Sequence, residues 1–116
     1  MRYVYPAVFT WHESEKIYTV NFPDADNWFT DGATLSEAII YATDVLNLML
    51  LSAEERGDSI PEASKLEDIA LTDKKSFAQY ICADTELYKE TFRLKKILDM
   101  KKRNKAKRLQ TGLKIA

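Results

Sequence analysis

Residues 34–57 read TLSEAIIYATDVLNLMLLSAEERG. Leu35, Ala38, Ile39, Ala42, Val45, Leu46, Met49, Leu50 and Ala53 recur at helical spacing along one face. Thr34 and Glu37 make a capping-box pair: the Thr hydroxyl accepts from the Glu37 amide, and the Glu carboxylate reaches back to the Thr amide. Gly57 can take the left-handed conformation that stops a helix. Each large apolar side chain gains roughly 1.5–3 kcal/mol on burial, so a stripe of this width needs a cover. The preceding residues supply a sheet for it.

The 116 residues are enough for one domain with an appendage. Hydrophobic residues at 46% support a core and argue against disorder throughout. No run of about 18 apolar residues occurs, so no membrane partner is expected. The start, MRYVYPAVF, lacks the apolar region and cleavage site of a signal peptide. The single cysteine, Cys82, excludes an internal disulfide. These features place the chain in the cytoplasm.

The net charge of -1 conceals a division. Residues 1–82 carry 6 Lys+Arg against 14 Asp+Glu, a net of -8, whereas residues 83–116 carry 11 against 4, a net of +7. An acidic body suits a cationic partner, and a basic tail suits an anionic one or its own body.

Residues 2–10 are rich in aromatic and β-branched side chains and predict a strand. Pro6 places it at an edge, or turns its proline to an unpaired side. Residues 11–15 form a hairpin turn, and 16–22 return antiparallel. Residues 23–27 carry turn chemistry, 28–30 form a short strand, and 34–57 form the helix. Residues 57–67 are a loop. Residues 76–83 form a fourth strand that rejoins the sheet. A second helix starts near Glu86, capped by Asp84 or Thr85, and runs to about Leu109. The fold class is α+β, with a body at 1–83 and a helix with basic tail at 84–116.

Several residues invite a chemical reading. Asp24, Asp26 and Asp31 could hold magnesium, but all lie within turn sequence, where aspartate is favoured locally. His12 has no evident second group for acid–base work, and an exposed turn histidine is expected. Cys82 reads as a small buried apolar residue. No metal or cofactor is expected, and no catalytic residue is assigned. Lys101, Lys102, Arg103, Lys105, Lys107 and Arg108 crowd one short stretch and suit a DNA backbone or a solvated tail. Leu87, Tyr88, Phe92, Leu94 and Leu98 suit a dimer seam or packing back on the body. Trp28 serves equally as an interface anchor or a core residue, whereas Trp11, in the turn, leans toward contact with a partner.

Taken together, three stretches resemble the HicB family, the antitoxins of HicA–HicB toxin–antitoxin pairs. They are Tyr5-Pro6-Ala7-Val8-Phe9, Tyr18 to Asp24 (YTVNFPD), and Phe29 to Ala38 (FTDGATLSEA). Ile60-Pro61-Glu62-Ala63-Ser64 is similar to the family's proline-bearing loop. The chain departs from the family in reading Asp26-Asn27-Trp28 where a Pro-Gly-Cys-like turn is common. It also lacks a β-rich run after Glu86 for a ribbon-helix-helix module.

The resemblance implies a partial ribonuclease-H-like β-β-β-α-β body that binds a small basic mRNA-cleaving HicA-like toxin. Trp11, Asp24, Asp26 and Trp28 would be toxin contacts. The tail would touch operator DNA, with homodimers or higher homo-oligomers expected. The alternatives are a metal-dependent nuclease and a stand-alone dimeric transcriptional regulator.

Overall fold

The computed structural model describes the backbone of residues 1–115 and the side chains of residues 1–105. Its elements are β1 (Arg2–His12), β2 (Ile17–Asn21), β3 (Phe29–Gly32), α1 (Leu35–Arg56), β4 (Ser76–Asp84) and α2 (Thr85–Ile115). A 3-10 turn at Leu66–Asp68 precedes β4. The class is α+β. Met1–Thr85 forms one compact unit, and α2 from Glu86 onward forms a second.

The sheet order is β3-β2-β1-β4, and every neighbouring pair is antiparallel. β1 is therefore interior, which leaves the second of the two readings of Pro6, a proline turned to an unpaired side. Pro6 is tolerated there for a reason visible in the ladder. The Trp11 amide donates to the Lys75 carbonyl on the β4 side, so odd-numbered β1 amides face β4 and even-numbered ones face β2. Pairing with β2 starts only at Val8. The missing amide of Pro6 thus points past the end of β2, where no ladder bond is lost.

Period-2 alternation gives the sheet two faces. Tyr5, Ala7, Phe9, Val20, Phe22, Ile81 and Ala83 face α1 and are buried. From the helix come Ala38, Ala42, Leu46, Leu50 and Ala53. Phe9 stacks on Phe77 at 5.1 Å between centroids. Gly32 lets α1 approach, because a Cβ there would lie 2.5 Å from the backbone nitrogen of Ala38. By length and composition α1 would also qualify as a membrane span; here it lies on the sheet.

The caps of α1 hold with one change. Thr34 Oγ1 accepts from the Glu37 amide at 3.1 Å, while the Glu37 carboxylate receives the Ala33 amide at 3.0 Å instead of that of Thr34. Gly57 ends the helix at φ 69°, where its own amide donates to the Glu54 carbonyl and the Asp58 amide to that of Ala53. Asn47, buried on the apolar face, is satisfied in two directions. Its amide donates to the Thr43 carbonyl and its oxygen accepts from the Asp84 amide.

Candidate protein-binding surfaces

β1 continues through Trp11 and His12, which pair with Tyr18 and Ile17. This corrects their assignment to a turn. The aromatic and β-branched character of the two strands carries the ladder further than the polar run Glu13–Lys16 suggests. Lys16 closes the turn at φ 55°. Its ammonium donates to Glu13 at 2.6 Å, and Trp11 Nε1 donates to the other Glu13 oxygen at 2.6 Å. These two bonds hold the Glu13 carboxyl below its usual range. The Trp11 ring leans on Tyr18 at 4.7 Å between centroids and stays half-buried. His12 hydrogen-bonds Thr19 Oγ1 at 2.9 Å.

Asp24 and Trp28 are engaged within the body. The Asp24 carboxylate accepts the Ser64 amide at 2.9 Å and the Ser64 hydroxyl. Tyr5 donates its hydroxyl to the Pro61 carbonyl, and burial, with Asp24 adding to it, pushes that phenol's pKa up. Together these contacts tie the proline-bearing loop to the end of the sheet. Trp28 falls just before β3 and makes edge contacts with Tyr5 at 5.7 Å and Phe22 at 6.5 Å. Asp26 is exposed on the same turn. Among the described residues, no group of three or more His, Cys, Asp or Glu side chains could hold a metal.

A surface that the apolar stripe conceals lies on the far side of α1. Ile40 is 61% exposed, Tyr41 45% and Leu48 48%. The only charges from Leu35 to Glu55 are acidic: Glu37, Asp44, Glu54 and Glu55. The signal was present as an excess of apolar residues over what one stripe can hold. Cys82, in turn, is exposed, which corrects its reading as buried. It shares the outer sheet face with Val4 and Tyr80, because Ile81 and Ala83 take the inward positions.

Within the body, the end of α1 is tied to Tyr3 of β1 and to Thr85, the last residue of that unit. Tyr3 donates to Glu54 Oε2 at 2.6 Å, and the Thr85 hydroxyl donates to the same oxygen at 3.1 Å. The Glu54 hydrogen bond, then burial, pushes the Tyr3 pKa up to about 12.

On α2, Leu87, Phe92, Leu94 and Leu98 are exposed, while Tyr88 is half-buried. Leu87, Thr91, Leu94 and Leu98 follow the alternating four-three spacing of a helical seam. Arg93 pairs with Glu90 at 2.6 Å, and Lys96 lies 4.8 Å from the Phe92 ring centre. Lys101, Lys102, Arg103 and Lys105 are exposed. Lys107 and Arg108 lie outside the described side chains.

A family model described as the HicB-like antitoxin of bacterial toxin–antitoxin systems matches residues 5–100. The chain belongs to the HicB-like antitoxin family. Three solved structures share the antitoxin's fold. A toxin–antitoxin complex from Streptococcus pneumoniae aligns with TM-score 0.69 at 24% identity, covering 76% of this chain and 73% of that one. The HicA3 and HicB3 toxin–antitoxin complex gives 0.56 at 18%, over 71% and 99%. The N-terminal domain of Burkholderia pseudomallei antitoxin HicB gives 0.59 at 16%, over 68% and 95%. No curated protein sequence matches it.

Proposed function

We propose that this antitoxin neutralises a small basic mRNA-cleaving toxin by covering its RNA-binding surface, without chemistry of its own. Membership of the HicB-like family carries the reading. The -8 charge of residues 1–82 supports it independently. A ribonuclease surface must be positive to hold phosphates, and an acidic partner competes for that surface and speeds encounter.

The outward side of α1 is the proposed centre of contact. Its exposed Ile40, Tyr41 and Leu48 supply apolar area, and its charges from Leu35 to Glu55 are all of the sign a cationic partner favours. Trp11 and Asp26 remain exposed enough to contribute. Asp24 and Trp28 act indirectly, by shaping the loop and the turn.

The basic stretch of α2 is proposed to contact operator DNA, and the Leu87–Leu98 seam to pair two copies. Free cations on one helix follow the phosphate backbone, and an exposed apolar row needs a cover.

The test is co-expression with the adjacent short reading frame. The expected result is a complex that survives purification and rescues growth. Leu48→Lys should weaken toxin capture by 10-fold or more, at roughly 1.4 kcal/mol per decade, with the fold intact by circular dichroism. Lysine substitution there without loss would refute the α1 surface. Magnesium-dependent RNA cleavage by the purified chain, abolished by Asp24→Asn, would favour the nuclease instead.

A further inference from the structure

The sheet has two edges, and they differ in how they are guarded. β3 is a four-residue edge carrying Asp31, and both shortness and charge discourage pairing with another chain. β4 is nine residues long. From Phe77 to Ala83 it carries no charge and no proline.

The ladder shows which β4 groups face outward. Lys75 accepts from Trp11, and the Thr85 amide donates to the Met1 carbonyl. Odd-numbered β4 residues therefore bond to β1, and Ser76, Ala78, Tyr80, Cys82 and Asp84 turn their amides and carbonyls away. The ends of this outward row are occupied, since the Ser76 amide donates to Asp73 and the Asp84 amide to Asn47. Among the described residues, the amides of Ala78, Tyr80 and Cys82 have no such partner.

We propose that this edge pairs with the same edge of a second copy, antiparallel about a two-fold axis at Tyr80, to make one continuous eight-stranded sheet. The register is self-complementary. Tyr80 meets Tyr80, and Ala78 of each copy meets Cys82 of the other. Each of these pairs can exchange two amide–carbonyl bonds. On the helix side, Ile81 faces Gln79 and Ala83 faces Phe77. No like charges face each other along the strand. The Lys74–Lys75 turn of one copy reaches the Asp84 end of the other, a favourable sign in an otherwise acidic body. A contact of this kind is isologous. Together with pairing through α2 it would produce a tetramer. It is independent of the antitoxin reading.

The test uses the full chain. Ala78 of one copy opposite Cys82 of the other is a hydrogen-bonded pair with Cα atoms about 5.5 Å apart, inside the roughly 4.4–6.8 Å a disulfide spans. Mild oxidation of Ala78→Cys should therefore give a covalent dimer on a non-reducing gel. Ile40→Cys, exposed on α1, should not.

Ala78→Pro removes an outward amide and leaves the β1 ladder intact, so sedimentation should show the assembly mass halved. Ala78→Lys should do the same if the proline variant misfolds. Unchanged mass in the folded variants without a cross-link, or equal cross-linking of Ile40→Cys, would overturn the proposal. Toxin capture by Ala78→Pro should persist, so losing the edge contact is distinguishable from losing the antitoxin function.

Discussion

The body and α2 treat the same kinds of residue in opposite ways. In the body, Leu46 and Leu50 are fully buried, and the acidic surface surrounds a dense aromatic and aliphatic core. On α2, Leu87 is 64% exposed and Leu98 57%, beside a run of cations. The contrast separates two sources of stability. The body is a two-layer unit that covers its own apolar surface. α2 carries apolar surface that only another chain, or its own body, can cover. Breaking each region in the same way is the direct test of that contrast.

The largest effect is expected at Leu46. Leu46→Ala removes buried methyl groups beneath α1 and leaves a cavity, at a cost of about 2–5 kcal/mol. Urea unfolding followed by circular dichroism reads it as a lower midpoint with an unchanged slope. Gly32→Ala should fall in the same class, because its new Cβ meets the α1 backbone and not a movable side chain. A shift below about 1 kcal/mol at Leu46 would contradict a core organised around α1.

A smaller loss is expected where the body closes on its own loop. Asp24→Ala leaves the Ser64 amide and hydroxyl without their acceptor, at about 1–3 kcal/mol. Limited proteolysis within residues 57–72 should rise with it, since Asp24 and Tyr5 both hold that segment. If cleavage is unaffected, the loop is held by Ile60 packing on the core instead.

Legibility followed the range of the interactions. α1 could be read to its caps, because the period, Thr34 and Gly57 are all local signals. The strand order could not be, because Pro6 leaves an edge and an unpaired side equally open until one knows where β2 stops. Cys82 was misplaced for a related reason. In SFAQYICA both alternating sets contain apolar residues, so the pattern does not decide which set faces inward. Asp24 and Ser64 lie 40 residues apart, and nothing in either neighbourhood announces the pair. The exposed side of α1 was hidden by the strength of its buried side.

A pH series probes the body's side of the comparison alone. Tyr3 is held by Glu54, which also receives Thr85, the last residue of the body. Its folded pKa, about 12, lies above the 10.0 of an unperturbed tyrosine. The neutral phenol is the form favoured by folding, so this contribution is complete below pH 10. It declines as pH rises toward 12, where both states ionise. Unfolding midpoints should therefore fall between those values in the parent chain. They should fall less in Tyr3→Phe, which cannot ionise. An equal slope in the two would mean that Tyr5 or general charge repulsion dominates.

The smallest expected effect is the most diagnostic for α2. Leu94→Ala makes the same chemical change as Leu46→Ala, but on a side chain that is 50% exposed. Alanine is also the stronger helix former. Unfolding of the body should then move by no more than about 0.5 kcal/mol. If α2 pairs with a second copy along the Leu87–Leu98 row, the same substitution must weaken association, and the apparent stability of α2 must depend on protein concentration. A body midpoint that drops with Leu94→Ala as it does with Leu46→Ala would mean that α2 packs on its own body. The basic helix would then be a cover for the acidic surface and not a second binding module.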